Sequence, residues 1–147
     1  METIGANRVV IAFGSNLEPK EAHIQNAIEA ISSSCGHVAQ VSPFYYSEPV
    51  GFESKHNFIN GCLLLLTNLS PIELLHKLQS IEKKMGRIKE KPHYEDRCID
   101  LDIIFYESLC LYTDELQIPH PRYHERDFVL IPLQALNLDT NPFKPSI

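Results

Sequence analysis

The feature that most constrains this chain is the run Arg97-Cys98-Ile99-Asp100-Leu101-Asp102-Ile103-Ile104-Phe105-Tyr106, an apolar, β-branched stretch carrying two carboxylates two residues apart. Side chains alternate along a strand, so Asp100 and Asp102 share one face while Ile99, Leu101 and Ile103 share the other. Two adjacent carboxylates on a half-buried strand repel and resist desolvation unless something cationic joins them. A divalent metal is one such partner, and carboxylate with water oxygens suits Mg²⁺. A solvated strand face, or pairing with Arg97 and a lysine, is the other reading that so short a motif allows.

The elements around this run follow a definite order. Arg8-Val9-Val10-Ile11-Ala12-Phe13 reads as a buried first strand stopped by Gly14-Ser15-Asn16. Ile24, Ala27, Ile28 and Ile31 then recur at helical spacing after Pro19, and Gly36 ends that helix. Residues 37–47 form an extended segment in which Pro43 marks a bulge or an edge, and residues 58–67 a third strand. Ser70-Pro71-Ile72-Glu73 is a capping box with proline at the first helical position. Leu74, Leu75, Leu78, Ile81 and Met85 line one face of the helix it starts, and Gly86 stops it. Residues 99–106 are the fourth strand, residues 111–118 a small hairpin, and a last helix runs from near Asp127 to Leu136, with Pro132 compatible only with its first turn. The order β-α-β-β-α-β predicts an α+β fold, a ferredoxin-like βαββαβ sandwich with an extra small hairpin and a C-terminal helix. Both main helices then lie on one face of an antiparallel sheet, and residues 1–147 make one domain. Residues 14–20, 48–57 and 86–96 are the long connections, which in a compact domain are usually functional.

The net charge of −6 argues against nucleic acid or an anionic membrane as partner. Six of the thirteen basic residues nevertheless cluster just before the carboxylates: Lys83, Lys84, Arg87, Lys89, Lys91 and Arg97. A basic last helical turn explains Lys83, Lys84 and Arg87. The remaining three suit a small polyanion bridged by metal. The four cysteines, Cys35, Cys62, Cys98 and Cys110, are widely spaced and read as small hydrophobes rather than disulfides or zinc ligands. The N-terminus shows no signal-peptide pattern, and the longest apolar run, residues 62–66, is far too short to cross a bilayer, so a cytoplasmic location is expected.

Several further groups carry chemistry. Pro119-His120-Pro121 presents a histidine rigidly, although a lone histidine is more often structural. Arg126 and Phe128 stand at a helix entrance, where ion pairing and core packing are the plain readings. Phe58 and Asn60 set an aromatic beside an amide, with core packing again the plain reading for Phe58.

Taken in order, Gly14-Ser15-Asn16-Leu17, Pro49-Val50-Gly51, Phe58-Ile59-Asn60, Gly86-Arg87, Arg97-x-x-Asp100-Leu101-Asp102, Pro119-His120-Pro121-Arg122 and Arg126-x-Phe128-Val129-Leu130-x-Pro132-Leu133 resemble the 6-hydroxymethyl-7,8-dihydropterin pyrophosphokinases of folate biosynthesis. Seven motifs in register, from Val9 to about Leu136, make the resemblance specific. It implies transfer of pyrophosphate from ATP, the co-substrate, to the pterin hydroxymethyl group, releasing AMP. It implies that Asp100 and Asp102 hold two Mg²⁺ ions. Arg87 and Arg97 would join them as catalytic groups, and Lys89, Arg97, His120 and Arg126 would bind ATP. Ser47, Val50, Phe58, Asn60 and Phe128 would bind the pterin, the two rings by stacking and the amide by orienting a flat polar heterocycle. The implied partners are small molecules, with a link to other folate-pathway enzymes as in some relatives. The chain departs from the family's usual pattern at His93-Tyr94 and Glu95-Asp96, and contains no tryptophan. A non-catalytic pterin- or nucleotide-binding module on the same fold is the alternative reading.

Overall fold

The computed structural model describes residues 6–47, 58–86, 98–136 and 138. The elements are β1 (Asn7–Ser15), α1 (Lys20–Ser34), β2 (His37–Val41), β3 (Tyr45–Ser47), β4 (Phe58–Thr67), α2 (Pro71–Lys84), β5 (Asp100–Tyr106), β6 (Leu111–Tyr112), β7 (Gln117–Ile118) and α3 (Asp127–Ala135), with a 3₁₀ turn at Tyr123–Glu125 before α3. The main sheet runs β2-β4-β1-β5, with β3 also paired to β4, and β6 and β7 form a separate hairpin. Every pairing is antiparallel.

The central strand β1 continues through Gly14 and Ser15, two residues past the end expected at Phe13. Gly14 lies opposite Asn60 on one side and Asp100 on the other, and Ser15 lies opposite Ile59. Ladders on both flanks supply hydrogen-bond partners that outweigh glycine's weak strand preference. The outer segment breaks between β2 and β3, where Pro43 cannot donate to the ladder. Ser42 bridges the gap: its N–H donates to the Cys62 carbonyl at 2.8 Å, and its Oγ accepts from the Cys62 N–H at 3.0 Å.

The capping box of α2 forms as expected. Ser70 Oγ accepts from the Glu73 N–H at 3.2 Å, and Glu73 Oε1 accepts from the Ser70 N–H at 2.9 Å. α1 ends at Cys35, and Gly36 follows at φ 155°, where a Cβ would lie 2.2 Å from the Leu66 carbonyl oxygen. Cys35 and Cys62 are buried free thiols, whereas Cys98 is half-buried just ahead of β5 and Cys110 is exposed.

Alternation along the strands builds two separate apolar layers. Ile24, Ala27 and Ile31 of α1 and Leu74, Leu78 and Ile81 of α2 pack with Val9, Ile11, Phe13, Ile59, Leu63, Leu65, Leu101 and Ile103. The opposite face gathers Val10, Ala12, Cys62, Leu64, Ile104 and Phe105 under Val129 and Leu136 at the α3 end of the chain. The face opposite α1 and α2 is therefore partly covered. Pro132 is the sixth residue of α3, beyond the first turn to which its missing N–H should confine it. It removes one hydrogen bond near the end of a short helix, and its buried ring offsets that loss by packing. No helix among the described residues is long and apolar enough to cross a membrane.

Candidate functional site

The carboxylate-bearing strand β5 is an edge strand, and β1 lies between it and β4. Register places Asn60, Gly14 and Asp100 in one row across three strands, and Cys62, Ala12 and Asp102 in another. Leu101 and Ile103 point into the layer beneath α1 and α2, so alternation sends Asp100 and Asp102 to the face that α3 partly covers. The same alternation puts Phe58 and Asn60 on that face, because Ile59 and Leu63 belong to the other. Asp100, Asp102, Asn60 and Phe58 thus converge at one end of one sheet face. Ser47 joins them through the backbone, opposite Phe58.

His120 reaches this region by docking on the edge of β5, where its N–H donates to the Ile104 carbonyl at 3.0 Å. Its Nδ1 accepts from the Arg122 N–H at 3.1 Å. The neutral ring therefore carries its proton on Nε2, which is left to donate elsewhere. Burial lowers the imidazole's pKa below its ordinary 6.5, with Arg126 and Arg122 adding to the shift and Asp100 opposing it. The site histidine is accordingly biased toward neutrality beside two cations and a carboxylate.

Arg126 precedes α3, with its guanidinium carbon 5.6 Å from the Phe128 ring centroid. Phe128 is the second residue of α3, which packs against β4 and β3, and at 37% exposure its ring keeps surface for a ligand. Cys62 Sγ lies 3.8 Å from the Val129 carbonyl, tying α3 to β4, and burial pushes that thiol up to about 12.

Two buried polar groups stand out. Asn60 is 9% exposed, and its Oδ1 has no hydrogen-bond partner among the described residues, an arrangement that costs free energy until a donor arrives. Glu82 of α2 is 5% exposed, and its Oε2 accepts from the Leu101 N–H at 2.8 Å. That bond engages the outer edge of β5 midway between Asp100 and Asp102. Glu82 was not among the candidates, although it falls four residues after Leu78 on the apolar stripe of α2. A charge on such a stripe is the signal that could have found it.

Among the described residues no group of three or more His, Cys, Asp or Glu side chains forms a metal cage. Two partly exposed carboxylates on one face nonetheless fit Mg²⁺, which is commonly held by one or two carboxylates plus waters and substrate phosphates. Arg87, Lys89 and Arg97, with Val50, lie outside the described residues, as do His93, Tyr94, Glu95 and Asp96.

Comparison with known proteins gives a consistent result. A family model for 7,8-dihydro-6-hydroxymethylpterin-pyrophosphokinase matches residues 10–138. The 2-amino-4-hydroxy-6-hydroxymethyldihydropteridine pyrophosphokinase of Porphyromonas gingivalis is 36% identical over 141 residues, spanning 94% of this chain and 96% of that protein. The enzyme of the same name from Bacillus subtilis is 38% identical over 131 residues, 88% of this chain and 78% of its own length. The folic acid synthesis protein of Schizosaccharomyces pombe is 46% identical over 134 residues, which cover 88% of this chain and 18% of that longer protein. Among solved structures, a Plasmodium falciparum HPPK-DHPS triple mutant with SDX-DHP aligns with a TM-score of 0.74 at 14% identity, covering 96% of this chain and 43% of that one. That last likeness concerns the fold. With a match along nearly its whole length and relatives above one-third identity that it spans almost end to end, the chain belongs to the 7,8-dihydro-6-hydroxymethylpterin-pyrophosphokinase family.

Proposed function

We propose that this chain transfers the terminal pyrophosphoryl group of ATP to the hydroxymethyl oxygen of 6-hydroxymethyl-7,8-dihydropterin. The pterin hydroxyl loses its proton, the bond between the α- and β-phosphates breaks, and AMP leaves. Family membership supports the reaction, and one observation carries its placement here: Asp100 and Asp102 share a sheet face with Asn60, whose buried Oδ1 is unpartnered among the described residues and which lies in the same row as Asp100. A ferredoxin-like framework agrees with the strand order β2-β4-β1-β5 and with α1 and α2 on one face.

Asp100 and Asp102 are the groups that would hold two Mg²⁺ ions. Bound there, the metal supplies charge neutralisation of the triphosphate and a template for the attacking hydroxyl. His120, neutral and with Nε2 free to donate, offers a hydrogen bond to ATP, and Arg126 offers a positive charge beside it. The same roles extend to Lys89 and Arg97 as ATP-binding groups, and to Arg87 and Arg97 in catalysis, by their place in the family's motif. Phe58 and Phe128 stack the pterin ring, with Ser47 and Val50 at its edge, and Asn60 Oδ1 accepts from a ring N–H. Most of the barrier is lowered by positioning and charge neutralisation.

The protein acts on small molecules in the cytoplasm and works in step with other folate-pathway enzymes. The S. pombe protein, of which this chain spans a fraction, and the "Folate synthesis bifunctional protein" of Arabidopsis thaliana, 39% identical over 136 residues and 28% covered, support that link. Incubation with ATP, Mg²⁺ and the hydroxymethyl dihydropterin tests the reading through its nucleotide product. AMP is expected. ADP would indicate a different phosphotransferase, and binding without turnover a non-catalytic module.

A further inference from the structure

The Asn60 amide and the Asp100 carboxylate stand on strands that flank β1, and the residue between them is Gly14. Neighbouring strands lie about 4.8 Å apart, so the two functional groups are separated by about 10 Å with Gly14 as the floor between them. A Cβ placed on Gly14 would lie 2.5 Å from Asn60 Nδ2, 3.5 Å from Asn60 Cγ and 3.7 Å from the Ile59 carbonyl oxygen. Real side chains do not approach at 2.5 Å, so the carboxamide occupies the volume a side chain at residue 14 would take. Gly14 does not have a left-handed φ, so the requirement is steric rather than torsional. The amide resting in that space is the one with a buried, unpartnered Oδ1. A glycine inside a strand often marks close approach of a ligand or another group.

We infer that Gly14 is a positioning residue: its missing side chain seats the Asn60 carboxamide across β1 and fixes the direction in which the amide meets a bound heterocycle. The inference rests on the proposed pterin site for the ligand, and on the Gly14–Asn60 contact alone for the mechanism. A methyl group at residue 14 would lift the amide off the floor and turn Oδ1 away from its ligand. It would also narrow the space between Asn60 and Asp100. Gly61, the neighbouring strand glycine, differs in kind, since its added Cβ would strike the buried Phe13 ring at 2.4 Å and so serves the core.

A double-mutant cycle of Gly14→Ala and Asn60→Ala separates these effects. Each variant is titrated with the hydroxymethyl dihydropterin, with a non-hydrolysable ATP analogue plus Mg²⁺, and is melted without ligand. Gly14→Ala should weaken pterin at least tenfold and leave the ATP analogue within twofold. The double variant should bind pterin no more weakly than Asn60→Ala alone, because the amide that Gly14 seats is already gone. Gly14→Ala should also lower the melting temperature in the parent chain and much less in the Asn60→Ala background. Multiplicative losses of pterin affinity, or unchanged affinity in Gly14→Ala, would overturn the inference. If Gly14→Ala fails to fold and the double variant folds, the steric coupling is supported; if neither folds, Gly14 is needed by the backbone and the inference falls. Should the parent chain bind no pterin, the substrate reading fails, and the melting cycle still decides whether Gly14 seats Asn60.

Discussion

The two faces of the main sheet are built from the same strands and serve different ends. Beneath α1 and α2, Ile11, Phe13, Ile59, Leu63, Leu65, Leu101 and Ile103 form an apolar layer in which the Phe13 ring occupies the space that a side chain at Gly61 would take. On the other face the alternation starts in the same way with Val10, Ala12, Cys62 and Leu64, then turns polar at Asn60, Asp100 and Asp102. Lengths explain the change. A nine-residue strand such as β1 spans about 30 Å, whereas the nine-residue α3 covers about 13 Å. Among the described residues α3 is therefore too short to overlie the whole length of that face, and the chemistry-bearing side chains Asn60, Asp100 and Asp102 lie toward one end of it. Over residues 100–103 of β5 the strand period of two sends Leu101 and Ile103 to the core and Asp100 and Asp102 to the other face.

The sharpest contrast comes from substitutions on the polar end of one face and in the apolar layer against the other. Asp100→Ala or Asp102→Ala should lower turnover by about 10³-fold or more, since metal-borne charge stabilisation is worth several kcal/mol. The melting temperature should hold or rise, because removing one of two adjacent carboxylates relieves repulsion. Product assays beside thermal melts check both halves, and near-normal turnover at ordinary Mg²⁺ would remove the metal assignment. On the covered face, Leu78→Ala should cost about 2–5 kcal/mol of stability as a cavity opens under α2, read by denaturant unfolding. The residual folded protein should keep its ligand affinities.

Phe58→Ala and Phe128→Ala should behave in the opposite way, weakening pterin by about 1–3 kcal/mol through lost stacking while ATP binding holds. Phe128→Ala should barely change the melting temperature, since the ring is already 37% exposed. Equal weakening of both ligands would make these rings part of the core and erase the contrast.

The smallest effect concerns pH. Because burial and the neighbouring arginines hold His120 below its ordinary 6.5, the unfolded chain takes up that proton first as the solution is acidified. The stability associated with neutral His120 is complete above pH 6.5 and is lost as pH falls through the lower folded value. His120→Gln should therefore lose less melting temperature between pH 7.5 and 5 than the parent chain. Identical slopes would show that His120 titrates as it does in the unfolded chain.

What was legible in the sequence follows the same division. The boundaries of β4 and the start of α2 were readable because an apolar run and a capping box are local signals. The shared face of Asp100 and Asp102 followed from alternation alone. The extension of β1 through Gly14 and Ser15 was not readable, since it depends on ladders formed with residues 59–60 and 100. Nor was the position of Pro132 within α3, where packing against the sheet outweighs a lost hydrogen bond. Glu82 was not among the candidate residues, because its acceptor role needs the Leu101 N–H, nineteen residues away. The basic segment holding Arg87, Lys89 and Arg97 stays a matter of motif, as it lies outside the described residues.

Backbone amide NMR on the labelled chain, with and without a non-hydrolysable ATP analogue, Mg²⁺ and the hydroxymethyl dihydropterin, tests this division of the sheet most directly. The largest shift changes should fall at residues 58–60, 100–104 and 120–128, with α1 and the first turns of α2 nearly still. Changes centred on α1 and α2, with Asn60, Asp100 and Asp102 unmoved, would contradict it.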